Sequence, residues 1–179
     1  MSLSHNMALV PVIETERLLL RGHTPADFDD CLSMWSDPEV TRYIGGRPFN
    51  REDVWARLLR YSGHWLWLGY GYWLVADKAS GIFIGEVGFA DFRRIIAPSF
   101  EGIPEVGWAL TRWSWGRGYA TEAVTAAVAW GGEAFGKDAV TGCLINPDNG
   151  ASIRVAKKCG YTEFCRTSYK DHPAIIYRR

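Results

Sequence analysis

Residues 105–123 (EVGWALTRWSWGRGYATEA) constrain the fold more than any other stretch of this 179-residue chain. A half-apolar run, EVGWAL, reads as a strand. It enters a turn containing Gly116 and Gly118, and the turn opens directly into a segment whose Ala120, Ala123, Val124, Ala127 and Val128 fall at helical spacing. Glycines let successive N–H groups converge, and a helix start adds unpaired donors and the positive end of its dipole. Arg117, between the two glycines, adds a mobile positive charge. The segment is therefore a candidate pyrophosphate cradle on a strand–turn–helix unit. Two familiar cradles fit poorly. A Walker loop requires Lys and then Ser or Thr after its last glycine, where Tyr119 and Ala120 stand here. The dinucleotide fingerprint requires a third glycine, where the chain has Thr121.

The elements around this unit follow at short spacing, with no linker long enough to divide the chain. Residues 17–22 read as a strand. Thr24, Pro25 and Asp27 then open a helix running to about 36, Asp37-Pro38 starts a short helical turn, and Asn50 begins a second amphipathic helix carrying Val54, Leu58 and Leu59. Strands are predicted over 70–76 and 82–92, an exposed loop over 93–103 and the motif strand over 105–110. A helix over 119–135, a strand over 139–145 and a helix over 149–159 stopped by Gly160 come next, followed by strands over 161–169 and 174–178. The three middle strands should form an antiparallel meander and the later strand–helix–strand unit a right-handed parallel crossover, so the class is α+β rather than a doubly wound sheet. Residues 1–13 read as a flexible lead and 14–179 as one domain.

Twenty Lys and Arg balance twenty Asp and Glu, which argues against a nucleic-acid partner. No apolar run approaches the roughly 18 residues of a membrane span, and no signal peptide is visible. Cys31, Cys143, Cys159 and Cys165, with four scattered histidines, match neither a zinc site nor a disulfide framework. These features give the expectation of a reduced, cytoplasmic protein with no metal and no membrane contact.

The cradle resembles the acyl-CoA-binding motif of the GNAT superfamily of N-acetyltransferases, whose core is Gln/Arg-x-x-Gly-x-Gly/Ala. Here the core starts at Trp115, a departure that is similar to the ribosomal-protein N-terminal acetyltransferase (RimJ/RimL-like) branch, where Trp-Gly-x-Gly-Tyr-Ala-Thr-Glu-Ala is typical. Three further stretches resemble that branch in order: residues 16–21 (ERLLLR), 35–44 (WSDPEVTRYI) and 146–161 (NPDNGASIRVAKKCGY). The resemblance implies a mixed, mostly antiparallel sheet of about seven strands flanked by helices, with a V-shaped slot where the motif strand splays from its neighbour. It implies acetyl-CoA as co-substrate, with pyrophosphate on the amides of Arg117, Gly118, Tyr119, Ala120 and Thr121. Pantetheine would lie along Trp108, Ala109 and Leu110 and touch Asn149. A strand bulge near Gly107 would suit the splay.

An ammonium has no lone pair, so acetyl transfer to an amine requires proton removal and stabilisation of a developing oxyanion. The resemblance points to Glu105 as base, with Glu86 as a rival, to Leu110 N–H as oxyanion donor, and to Ser152 as the acid that protonates the departing thiolate. Local chemistry offers other roles: Asn149 and Ser152 as the cap and N3 of a helix, and Glu122 as a structural or dipole-facing group. The aromatics between Trp55 and Trp73 read mostly as core, with His64 or Tyr70 as polar contacts if they wall an acceptor pocket. The implied activity is direct transfer from acetyl-CoA to a peptide N-terminus or small amine by a monomer or homodimer. The alternatives are a non-catalytic acyl-CoA sensor and a nucleotide-binding protein.

Overall fold

The computed structural model describes residues 10–179. Among them, β1 (Ile13–Glu14) and β2 (Leu18–Arg21) precede a helical stretch of α1 (Phe28–Trp35), α2 (Pro38–Thr41) and α3 (Arg51–Leu68). The meander β3 (Tyr72–Asp77), β4 (Phe83–Ala90) and β5 (Glu105–Leu110) follows, then α4 (Tyr119–Ala134), β6 (Gly142–Ile145), α5 (Gly150–Lys158), β7 (Thr162–Tyr169) and β8 (His172–Arg178). The eight strands form one sheet in the order β1-β2-β3-β4-β5-β6-β8-β7, antiparallel throughout except for the β5–β6 pair.

Local chemistry explains the boundaries. Pro25–Asp27 form a separate 3-10 turn before α1, whose start is fixed by the Asp27 carboxylate accepting from the Thr24 N–H and hydroxyl. Asn50 caps α3 by accepting from Asp53 N–H at 2.8 Å, and Asp53 returns the bond by accepting from Asn50 N–H at 3.1 Å. Gly69, at φ 72°, ends the helix in the left-handed conformation. β1 begins at Ile13, inside the stretch read as a lead. Val10 and Ile13 pack against the core, while residues 1–9 of that lead lie outside the described residues.

Apolar side chains cover both faces of the sheet. On one, Leu18, Leu20, Trp73, Val75, Val87 and Phe89 pack against Ala123, Val124 and Ala127 of α4 and Ala156 of α5. On the other, Tyr72, Leu74, Ala76 and Ala109 pack against Cys31, Met34 and Trp35 of α1 and Val54, Leu58 and Tyr61 of α3. No helix of the described residues is long and apolar enough to cross a membrane.

Two expectations fail here. The register of β4 against β5 is unbroken from Gly85–Leu110 to Ala90–Glu105, so Gly107 carries no bulge; the irregular registers lie at Val75/Ala76 and Glu163/Cys165. The stretch 93–103 is not wholly exposed, because Phe100 packs into the core and Arg94 folds back onto the sheet.

Candidate active site

The sheet opens at its one parallel junction. β5 and β6 share a single bridge, Glu105–Gly142, fixed by Gly142 N–H donating to Pro104 O at 3.1 Å. Beyond it β6 follows β8 from Gly142–Arg178 to Ile145–Ile175 and leaves β5 behind. Backbone groups alternate sides along a strand. Thr111 N–H donates to Ile84 O of β4, so the peptide groups of Ala109 and Gly107 also face β4, while those of Val106, Trp108 and Leu110 face the open side. Trp108 and Leu110 thus offer peptide groups that β6 does not meet; the Leu110 carbonyl accepts from Trp115 Nε1 at 2.9 Å, which leaves its N–H. Ala109 departs from expectation: its backbone belongs to the β4 ladder and its side chain to the core, so it presents nothing to the slot.

Both crossover helices start at the mouth of this slot, past the C-terminal ends of the two parallel strands, where open sheets bind ligands. At α4, Gly116 and Gly118 have φ of 75° and 81°, conformations that side chains disfavour. The first recorded helical bond is Glu122 N–H to Gly118 O. The N–H groups of Arg117, Gly118, Tyr119, Ala120 and Thr121 therefore have no acceptor among the described residues, and the turn itself is exposed. This suits a diphosphate. The turn is anchored from behind. Glu122 accepts from the Thr15 hydroxyl at 2.6 Å, Arg17 N–H at 3.0 Å and Arg17 Nε at 2.7 Å, and Arg17 Nη1 also donates to Arg117 O. Burial works to raise the Glu122 carboxyl, but these bonds outweigh it and hold it below the usual range. Glu122 is structural, as its position suggested.

At α5, Asn149 caps the helix by accepting from Ser152 N–H at 3.0 Å. Ser152 sits at N3, half-buried, and its hydroxyl makes no hydrogen bond among the described residues. The capping reading is therefore correct for Asn149 and leaves the Ser152 hydroxyl and the Asn149 amide NH2 available at the slot.

The two carboxylates weighed as bases are both engaged. Glu105 accepts from Arg94 Nε at 2.6 Å and Nη2 at 2.8 Å, a bidentate pair with both oxygens occupied. As folded it is an ion-pair partner and not a free base. Glu86 is fully buried, accepting from Trp35 Nε1 at 3.0 Å and Tyr61 Oη at 2.8 Å, with His23 Nε2 3.3 Å from its other oxygen. Burial pushes its carboxyl up, and His23, Arg57 and Tyr61 together bring it below the usual range. Glu86, His23 and Cys31 bring one potential ligand atom each within 4.8 Å of one another. The hydrogen bonds from Trp35 and Tyr61 both reach Oε2, while Glu86 Oε1 and both ring nitrogens of His23 are buried with no hydrogen-bond partner among the described residues.

One residue of this centre falls inside the aromatic run between Trp55 and Trp73 that reads mostly as core. The Tyr72 hydroxyl stands over Gly107, so close that a β-carbon there would collide with it. Its ring stacks on Tyr61 at 4.5 Å, and its hydroxyl has no hydrogen-bond partner among the described residues. Burial foremost, then the Glu105 charge, raises its pKa well above the ordinary value, so it remains a donor. Beside it, a cavity of about 220 Å³ is lined by Phe92, Arg94, Phe100, Ile103 and Glu105. Of the other aromatics, Tyr61, Trp65 and Trp73 are core, Tyr70 packs on Phe135, and Trp67 is exposed. His64 packs edge-on against Phe92. Cys143 and Cys159 are buried, and burial raises both thiols.

Comparison with known proteins agrees with this geometry. A Bacillus subtilis (strain 168) protein, YkkB, is 33% identical over 174 residues, covering 92% of this chain and 93% of its own. A solved Bordetella pertussis protein assigned to the GnaT acetyltransferase family superposes with a TM-score of 0.82 at 28% identity, covering 94% of this chain and 99% of that one. The RimL ribosomal L7/L12 α-N-protein acetyltransferase, solved in complex with CoA, shares the fold with a TM-score of 0.76 at 15% identity, over 94% of this chain and 97% of that one. The family model for the acetyltransferase (GNAT) domain matches residues 17–162. With a splayed parallel junction, a glycine turn at α4 and a capped α5 at one mouth, the chain belongs to the GNAT acetyltransferase family.

Proposed function

We propose that the chain transfers acetyl from acetyl-CoA directly to a primary amine, a peptide N-terminus or a small molecule, in a ternary complex. The observation that carries this reading is the unpaired side of β5 leading to a run of amides with no acceptor among the described residues. Pantetheine is amide-rich, and its amides match the free peptide group of Trp108, while the diphosphate matches the amides from Arg117 to Thr121 and the remaining Leu110 N–H is left for the acetyl carbonyl. The Asn149 amide meets the pantetheine arm, and the Ser152 hydroxyl supplies a proton to the departing thiolate. The Leu110 N–H faces the slot and stabilises the charge that develops on the carbonyl oxygen during attack. An acetyl-cysteine route is disfavoured because Cys31, Cys143 and Cys159 are buried thiols with raised pKa. The ordered motif matches favour the RimJ/RimL-like branch, and four cysteines without disulfide or zinc spacing favour a reducing, cytoplasmic setting.

Titration of acetyl-CoA followed by thiol release across a panel of amines tests the reading. Gly118→Trp places a bulky side chain at φ 81° in the amide ring, and binding should weaken by roughly 100-fold or more. Unchanged binding would remove the cradle assignment. The engagement of both Glu105 and Glu86 favours one alternative, an acyl-CoA sensor without turnover. Saturable binding with no thiol release for any acceptor would select it.

A further inference from the structure

Polar atoms that the fold leaves without partners gather between β2, α1 and β4. Glu86 Oε1 and both ring nitrogens of His23 are buried there with no hydrogen-bond partner among the described residues. The Cys31 sulfur joins them, so that one atom each of a thiol, an imidazole and a carboxylate stand within 4.8 Å of one another. All three side chains are closed to solvent: His23 is 4% exposed, and Cys31 and Glu86 are 0% exposed. Unpartnered polar atoms in such a place are costly to keep. His23 Nε2 lies 3.3 Å from Glu86 Oε1, yet the two make no aligned hydrogen bond. Two ligands of one tetrahedral ion, each about 2.0–2.1 Å from it, stand about 3.3–3.4 Å apart, with lone pairs that converge between them and not on each other.

The surrounding residues hold these groups in place. Asp27 accepts from Arg21 Nη1 at 2.9 Å, Arg21 Nη2 at 2.7 Å and Thr24 N–H at 2.7 Å, which fixes the turn that carries His23. Trp35 Nε1 and Tyr61 Oη both donate to Glu86 Oε2, which leaves Oε1 toward His23. Outer partners of this kind orient the ligands of metal centres. Arg57 stays on the Oε2 side, where its Nη1 donates to Tyr61 Oη at 3.1 Å. A thiolate and a carboxylate carry two negative charges between them, which neutralise a divalent ion in an interior that cannot hold one otherwise. Sulfur and imidazole select Zn2+ over Mg2+ or Ca2+, which take oxygen ligands.

We propose that His23, Cys31 and Glu86 form a structural site for a divalent cation of borderline softness, Zn2+ foremost, which ties β2, α1 and β4 together. On binding, the Cys31 S–H bond breaks, its proton passes to solvent and a sulfur–metal bond forms, while His23 and Glu86 donate lone pairs and no electron is transferred. A water that enters with the ion takes the fourth position. The expectation of a metal-free chain came from spacing, and these ligands have none to read, because only the fold brings them together. The Tyr61 ring contacts His23 on one side and Tyr72 on another, so the ion sits one ring away from the slot and takes no part in acetyl transfer.

The full-length chain, stripped of metal with EDTA and returned to chelator-free reducing buffer, would be refolded from urea with Co2+ as a spectroscopic probe. One equivalent should give the near-ultraviolet thiolate-to-cobalt band and the strong visible bands of a four-coordinate ion, and Zn2+ should abolish both by displacement. Tm should rise by about 5 °C or more once free Zn2+ exceeds its Kd 100-fold. Cys31→Ala and His23→Gln should each lose the bands and the Tm response. Cys165→Ser, at the half-exposed cysteine, should keep both. His23→Gln decides the matter if Cys31→Ala does not fold. No charge-transfer band after refolding, a band that survives in Cys31→Ala or His23→Gln, or one that disappears in Cys165→Ser would overturn the proposal. Acetyl-CoA titration of the same samples reads the transferase assignment separately, since no ligand of the ion lines the slot.

Discussion

Gly107 has no room for a side chain because the Tyr72 hydroxyl reaches over it. Its position in the middle of β5 suggested a bulge, but the constraint comes from across the sheet, from a tyrosine whose place over the slot no local pattern records. Gly107→Ala should displace Tyr72 from the reacting centre and lower kcat on the order of 100-fold, the usual cost of misplacing a group by about an ångström. Adding Tyr72→Phe should recover lost Tm by relieving the collision without restoring kcat. A Gly107→Ala variant with full kcat would show that the hydroxyl has no part in turnover. The same contrast governs what was legible residue by residue. Asn149 and Ser152 announce a cap within four positions, and Gly116 and Gly118 announce a turn by their own conformational freedom. The Arg94–Glu105 pair joins a strand to a loop with no periodicity, and the partners of Glu86 arrive from Trp35 and Tyr61, far away in sequence. Reading Glu105 as a free base required knowing what faced it.

At the scale of elements, the β1–β2 turn and α4 are joined by one carboxylate. Glu122 gathers Thr15 and Arg17 behind the glycine turn, and Arg17 lies 4.6 Å over the Tyr119 ring. Glu122→Ala should cost about 1–3 kcal/mol, the worth of charge-assisted bonds lost at a partly buried site, and urea unfolding measures it. The folded pKa of Glu122 lies below the ordinary carboxylate value. Its contribution is therefore complete above the unfolded pKa of about 4.3 and fades as pH falls through the folded value. The gap between wild type and Glu122→Ala should narrow in acid and persist at neutral pH. A gap that widened in acid would contradict the assigned charge state. Element order was largely readable because helices with caps and strands bounded by glycine carry their own punctuation. β1 was not: two residues are too few for periodicity, and its pairing with Leu19 and Leu20 of β2 is tertiary.

At the scale of the whole molecule, the sheet is nearly continuous and fails at one seam. Every junction except β5–β6 is antiparallel and pairs over most of its strand, while β5 and β6 are bridged through Glu105–Gly142 alone. Amide hydrogen exchange should register this directly. Acetyl-CoA should slow exchange at Trp108 and Leu110, whose N–H groups face the seam, and change Gly107 and Ala109 far less, since β4 already holds them. Equal protection at all four positions would mean that the ligand acts by general tightening and not as a strand partner.

That single rung has a further consequence for how the chain could be divided. A cut in the loop between α4 and β6 would leave an amino-terminal fragment ending in the glycine-turn helix and a carboxy-terminal fragment of β6, α5, β7 and β8. The two would be held by one backbone bridge, the packing of α5 on α4, Phe100 against Gly142, Arg94 over the Tyr169 ring and the Thr167 hydroxyl donating to Ala97 O. A ligand lying along β5 with its phosphates on α4 and its arm against α5 would then act as the splice between them. Reassembly of the halves would become a readout of ligand concentration, with the co-substrate as the missing strand.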